Sequence, residues 1–326
     1  MVKRQLLYKE WKQSELTFIL VMIIAALATP FTFLMEYSSF QSCLNDTTCT
    51  PAGDHFYYSF YVDTFLNSSW IIGLFFALMQ LGIERNKGLM DFTLSLPFSR
   101  SSIYHSKFML ATGILILIHV VSYGLSFLLT VLLHPSEINS FHYDYLFALI
   151  QALMVYSLVL AAGALTGSAI AQAIVAFSTS ILPILLIGLP VVHLDFFLQT
   201  YSIYYILEGF IMAISPIVYL EFGPNVTEPH LFAGEDIIIP ILMIVLFYII
   251  GLISFKKHPI ERTGHFFLYP KMNRPIQIMV IAFGVLGFGM TGMPTENSSL
   301  FSYIVFMLIG GAVGALLSYI LIYRKK

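Results

Sequence analysis

Charge is scarce in this chain: only 10% of its 326 residues are Asp, Glu, Lys or Arg, against roughly a quarter in a soluble domain. With 58% hydrophobic residues and a mean hydropathy of +0.84, a water-soluble fold is excluded. No G-x-x-x-x-G-K-[ST] occurs, so the chain carries no P-loop of its own for ATP. H-E-x-x-H and G-x-S-x-G are absent as well, and nothing reads as an enzyme active site. Gly287, Gly289 and Gly292 match G-x-G-x-x-G, yet they lie inside an apolar run with no preceding strand, which excludes the dinucleotide reading. No loop is long enough for a separate globular domain of ordinary size. The two cysteines, Cys43 and Cys49, share one short polar loop. A disulfide and two free thiols are both open there, since sequence alone does not establish the geometry.

What the chain has is apolar length. Eight runs, 17–35, 65–83, 108–133, 145–166, 172–192, 237–255, 276–293 and 301–323, are each long enough to cross a hydrocarbon core of about 30 Å at about 1.5 Å per residue. The sequence therefore predicts an all-α polytopic membrane protein of about eight spans. The small-x-small step at Ala26 and Ala28 behind a basic start imitates a signal peptide, but the apolar run continues through Phe31 and Met35, so the first span is expected to stay.

Threading those runs through a bilayer puts all 16 Lys and Arg residues on one side. They fall before the first span (Lys3, Arg4, Lys9, Lys12), between spans two and three (Arg85, Lys87, Arg100, Lys107), between six and seven (Lys256 to Arg274) and at the C-terminus. Lys and Arg mark the cytoplasmic side of a membrane, so both termini are expected there. The stretch 201–220 is apolar and nearly long enough to cross, but carries Glu208, Gly209 and Pro216. A crossing would move half of the basic residues outside, so it is read as a re-entrant hairpin on the outer face, of the kind tolerated when protein or a water-filled cavity covers it. Glu208 then has two readings: a polar group on a substrate pathway, or a carboxylate solvated near the interface.

Within the eight runs there is no Asp, Glu, Lys or Arg. Ion-coupled carriers usually place such groups inside the bundle, which argues against a self-powered secondary transporter. His119 is expected to be a hydrogen-bonded packing residue. Gly163 with Gly167, and Gly310 with Gly314, have the spacing that lets helix backbones approach closely.

The basic segment 84–107 reads ERNKGLMDFTLSLPFSRSSIYHSK. Leu89, Phe92 or Thr93, and Leu96 recur at helical spacing, Pro97 stops the helix, and Ser99 is placed to cap the next one. A surface helix with one apolar face needs lipid headgroups or a partner protein to cover it. The loop 256–275, with Phe266, Phe267 and Leu268, offers either a second apolar contact or a solvated, lipid-facing surface.

Glu84, Gly88, Leu94 to Arg100, Ile103 and Lys107 resemble the E…G…LSLPxSR…I…K segment of ABC-2 type transporter permeases. The basic stretch 1–15, with Leu7 and Trp11 one turn apart, is similar to that family's interfacial helix, and the order of five spans, outer hairpin and sixth span resembles its core. The resemblance covers residues 1–255; 256–326 adds a cytoplasmic loop and two further spans. Within the family the chain is similar to bacterial permeases linked to acetoin use or antibiotic response.

The resemblance implies a bacterial cytoplasmic-membrane subunit that moves a substrate using ATP hydrolysed by a separate ATP-binding-cassette ATPase. ATP and Mg would be bound by that partner, with no cofactor in this chain. Glu84, Gly88, Leu89, Phe92, Leu96, Pro97 and Arg100 would form the ATPase-coupling helix. A second permease chain, identical or paralogous, and membrane lipid are the other expected partners, with no nucleic acid. A secondary transporter, or a sensory or scaffolding subunit, is the alternative.

Overall fold

The computed structural model describes residues 4–45, 56–60, 63–135, 141–198, 202–221, 237–257, 262, 264–293 and 300–323. In chain order the helices are α1 (Arg4–Gln13), α2 (Glu15–Asn45), α3 (Thr64–Asn67), α4 (Trp70–Ala77), α5 (Glu84–Asn86), α6 (Leu89–Ser95), α7 (Arg100–Leu133), α8 (Phe141–Leu165), α9 (Ala169–Pro183), α10 (Leu189–Leu198), α11 (Ser202–Ala213), α12 (Pro216–Glu221), α13 (Ile238–Lys256), α14 (Asn273–Thr291) and α15 (Leu300–Ile322). Among the described residues no strand forms, and eight helical stretches are long and apolar enough to span a membrane. The protein is an all-α polytopic membrane protein, as expected.

Helices overrun the apolar runs that mark them. The first spans 31 residues, about 46 Å at 1.5 Å per residue, and carries Glu36 beyond its apolar part. Lys107 belongs to α7, Asp144 to α8 and Asp195 to α10. The charge-free runs therefore sit inside helices that do bear charge near their ends, a correction to the picture of uncharged spans.

Two spans are not continuous α-helices. The second continues from α4 through a π-helical turn, Leu78–Ile83, into α5. The fifth passes from α9 through a π-helical turn, Ile184–Gly188, directly after Pro183, into α10. Such turns leave backbone carbonyls without their usual partner and recur at functional sites. Gln172 meets one of them: its Nε2 donates to Ala77 O and to Val159 O, both at 3.0 Å, and joins α4 to α8.

The fourth span, α8, is the centre of the bundle, with 83% of its membrane-length window buried. Small residues make this possible. A Cβ on Gly73 of α4 would collide with the Ala152 carbonyl of α8, so those two backbones touch. Apolar side chains from α2, α4, α7, α8 and α13 fill the main core, including Phe18, Phe76, Tyr104, Met154, Tyr156 and Phe247.

The last two spans pair as a hairpin that leans on α10, where Tyr303 meets His193, Phe196 and Phe197. Gly284 of α14 faces Gly310 and Gly314 of α15 at backbone contact, which places the Gly310/Gly314 pair as its spacing suggests. Only 6% and 17% of their windows are buried. Gly163 and Gly167 do not share a helix face, because α8 ends at Leu165; Gly167 instead lies against the backbone of Arg262 and His265.

That contact belongs to a short antiparallel pairing. Leu268 N donates to Leu165 O at 2.9 Å and Gly264 N to Gly167 O at 2.8 Å, with a bridge between Thr166 and Phe267. Phe267 and Leu268 are buried within the chain itself, so these two residues offer neither a second apolar contact for a partner nor a solvated, lipid-facing surface. Segment 201–220 contains two helices, α11 and α12, broken at Ser215 ahead of Pro216. Gln151 Nε2 donates to Tyr219 O at 2.5 Å and fastens α12 to α8.

Candidate functional site

The segment between spans two and three folds as its residues dictate. Gly88 adopts φ 71°, a left-handed conformation that glycine accepts without strain, and starts α6. The helix ends at Ser95, and Leu96 is extended (φ −65°, ψ 151°), as a residue preceding proline must be. Ser99 then caps α7, its Oγ accepting from Ser102 N at 3.2 Å.

One face of α6 turns inward. Met90 and Thr93 are buried, whereas Leu89 is 40% and Phe92 61% exposed. Leu96 is half-buried and Pro97 exposed. Arg100 is half-buried, and its Nη1 donates to Lys256 O at the end of α13 at 3.4 Å.

Beneath the buried face lies a cluster of ions. Lys107 of α7 is fully buried; its Nζ donates to Glu10 Oε2 of α1 at 2.7 Å and to Glu84 Oε2 at the end of span two. Lys9 Nζ reaches Glu10 Oε1 at 3.1 Å and Glu84 Oε1 at 3.3 Å. Thr93 Oγ1 donates to Glu84 Oε1 at 2.7 Å and accepts from Lys9 Nζ at 2.7 Å. Two ammonium groups meet two carboxylates, so the cluster is neutral as a whole. Desolvating four ions is costly unless every one is paired and hydrogen-bonded, and here each is.

This cluster joins four segments, α1, α5, α6 and α7, that share no helix. Charge-assisted bonds of this kind are short and directional, so α6 cannot move without Glu84, Lys107 and α1 responding. Around it, Tyr156 OH and Gln80 Nε2 both donate to Lys107 O, at 3.0 and 3.1 Å. Arg85 Nη1 and Nη2 donate to Thr166 O and Gly163 O at 2.5 and 3.1 Å, satisfying carbonyls at the C-terminal end of α8 that no helical N–H reaches.

Of the residues singled out from sequence, Leu89 and Phe92 form an exposed edge. Glu84 is internal, an anchor rather than a surface contact. Thr93, expected only as one choice on the apolar face of the surface helix, is instead a polar link in the cluster, and Lys9 and Glu10 carry no site expectation from sequence. Their signal was slight: an acid inside a basic, amphipathic N-terminal stretch. Glu208 lies half-buried on α11, remote in sequence from the cluster. Cys43 sits near the end of α2, and Cys49 is outside the described residues. His119 is a packing residue on one side, its Nδ1 bonded to Leu115 O at 2.8 Å. Among the described residues no group of acidic, His or Cys side chains is arranged to hold a metal.

An all-helical bundle with a short surface helix bolted to its spans defines a multi-pass membrane subunit rather than a soluble module. The model of the ABC-2 family transporter proteins matches residues 6–192. Two curated relatives, both from Bacillus subtilis (strain 168), span nearly the whole chain. The chain is 39% identical to the probable ABC transporter permease YtrC, over all of its own length and 99% of the relative's. It is 38% identical to the probable ABC transporter permease YtrD, over 98% of its length and 97% of the relative's. No solved structure matches. The chain belongs to the ABC-2 transporter family and is a multi-pass permease-type subunit of an ABC transporter.

Proposed function

We propose that the chain couples ATP hydrolysed by a separate ATPase subunit to substrate movement across the cytoplasmic membrane, with α6 as the docking element. The carrying observation is the division of α6 into an exposed apolar edge, Leu89 and Phe92, and a buried face whose Thr93 is bonded to Glu84 and Lys9. A partner pressing on that edge would displace spans two and three and α1 together. The one-sided placement of Lys and Arg supports α6 and both termini as cytoplasmic, and α11 with α12 as an outer re-entrant hairpin. Residues 1–255 are the permease core, to which α14 and α15 are appended. The names of the two relatives support a second, identical or paralogous permease chain beside this one.

The test is co-purification. The tagged chain, co-expressed with a candidate ABC ATPase subunit from the same genome, should retain that subunit through detergent extraction. Phe92→Asp and Leu89→Asp should lose it while the chain still elutes as a folded species. Undiminished recovery of the ATPase by both variants would reject α6 as the docking element.

A further inference from the structure

Consecutive residues on a helix point about 100° apart, and Glu84 and Arg85 use that difference to reach different neighbours. Glu84 turns to Lys107, Lys9 and Thr93, in the cluster under α6. Arg85 turns to α8. It is only 2% exposed, and its guanidinium donates to Thr166 O and Gly163 O at the α8 terminus. Among the described residues no carboxylate lies within ion-pair distance of it. An arginine keeps its charge in a protein, and a buried charge stripped of its partners is costly. The negative end of the α8 dipole holds this cation, so α5 does not part from α8 without leaving it unpaired. The Gly73–Ala152 contact and the Gln172 bonds join the same two spans further along; Arg85 ties them at their α6 end.

The same α8 terminus is gripped a second time. Leu268 N donates to Leu165 O, Gly264 N to Gly167 O and Gly167 N to Phe266 O, so 264–268 lies as a strap along 165–167. From the strap the chain passes through the Pro270–Met272 turn of 3₁₀ helix straight into α14. The far end of the α14–α15 hairpin rests on α10, through Tyr303 against His193, Phe196 and Phe197. The hairpin is thus tied to the α8 terminus at one end and to a ring contact at the other.

We infer, resting this on α6 as the docking element, that Arg85 is a positioning residue for the appended spans. It carries a displacement of α6 to the end of α8 and, through the strap, to α14 and α15, which pivot on their contact with α10. The last two spans are then a driven element of the transport cycle rather than a passive anchor.

The experiment uses the full chain in complex with its ATPase, spin-labelled in separate samples at Ser95 with Tyr205 and at Ile278 with Tyr205; Ile278 of α14 and Tyr205 of α11 are both exposed. On trapping nucleotide, both distances should shift in the unaltered chain. Arg85→Met cuts the link before α8. Gly167→Ala cuts it after α8, because the new Cβ would stand 2.2 Å from His265 O and unseat the strap. In either variant the Ser95–Tyr205 shift should persist and the Ile278–Tyr205 shift should vanish, a split that a general loss of stability does not produce. Should Arg85→Met fail to fold, Arg85→Gln, which lacks the charge and the fork, takes its place with the same expectation. An Ile278–Tyr205 shift that survives either cut, or that is missing in the unaltered chain while Ser95–Tyr205 moves, overturns the role of Arg85 alone. No Ser95–Tyr205 shift in the unaltered complex would remove α6 as the driven helix, and this role of Arg85 with it.

Discussion

The two ends of the bundle are held together by opposite chemistry. At the α6 end, four ions and a threonine join α1, α5, α6 and α7 through directional bonds. At the other end, rings do the joining: Phe33, Phe56, Tyr58, Phe60, Phe141 and Tyr145 pack edge to face and in stacks between α2 and α8. Direction is added there by Asp63, which caps α3 through Leu66 N at 2.7 Å and accepts from Thr32 and Tyr58, and by Tyr145 OH, which donates to Ser126 Oγ at 2.7 Å. Aromatic contacts hold over a range of ring offsets, so that end can adjust without breaking. The ionic end must move as a unit or lose its pairing.

The sharpest way to break this contrast is Lys107→Met. It leaves the buried Glu10 and Glu84 with only the partly exposed Lys9 between them and should cost about 3–5 kcal/mol, the range for removing one partner of a buried pair. Thermal unfolding in detergent measures it. Removing both carboxylate charges with Glu10→Gln and Glu84→Gln in addition, which leaves only the partly exposed Lys9 charged, should recover much of that loss; no recovery would mean that packing, not charge, governs the site. Phe60→Ala at the ring end should cost less, about 2 kcal/mol, because lipid and neighbouring rings stand where water would in a soluble core. Equal losses at the two ends would erase the distinction. Ser99→Ala removes the α7 cap at about 1 kcal/mol, and should loosen α6 and the start of α7 in hydrogen exchange while the rings stay protected.

The smallest effect is one of pH. Burial first, and then the hydrogen bond to Asp63, hold the Tyr58 phenol above the ordinary tyrosine range. A raised pKa means that the folded protein favours the protonated phenol. The stabilisation is therefore complete below about pH 10, the unfolded value, and is lost progressively above it. An alkaline titration should thus weaken the ring end first, and Tyr58→Phe should remove that sensitivity.

Much of the architecture was legible because its signals are local. Eight apolar runs, Pro97 as a stop and Ser99 as a cap each act within a few residues, and each is found in place. The helices outrun those runs because a polar residue at a helix end, such as Glu36 or Lys107, need not end the helix. The π-helical turns left no mark, since periodicity shifts by one residue only. The ion cluster was hidden for another reason. Glu10 and Lys107 are 97 positions apart, and Glu84 and Lys107 are 23, so nothing short of the fold brings them together. The family resemblance placed Glu84 and Lys107 in one segment, but not that they bury each other's charge.

The central claim is that α6 and the ion cluster move as one body when a partner ATPase acts. Spin labels at Ser95 of α6 and Gln13 of α1, and in a second sample at Ser95 and Tyr205 of α11, report it through pulsed dipolar distances in the ATPase-bound complex. On trapping the nucleotide-bound state, the Ser95–Gln13 distance should stay fixed while the Ser95–Tyr205 distance shifts. A changed Ser95–Gln13 distance with Ser95–Tyr205 unmoved would contradict the account, because α6 would then swing free of the spans it is bonded to.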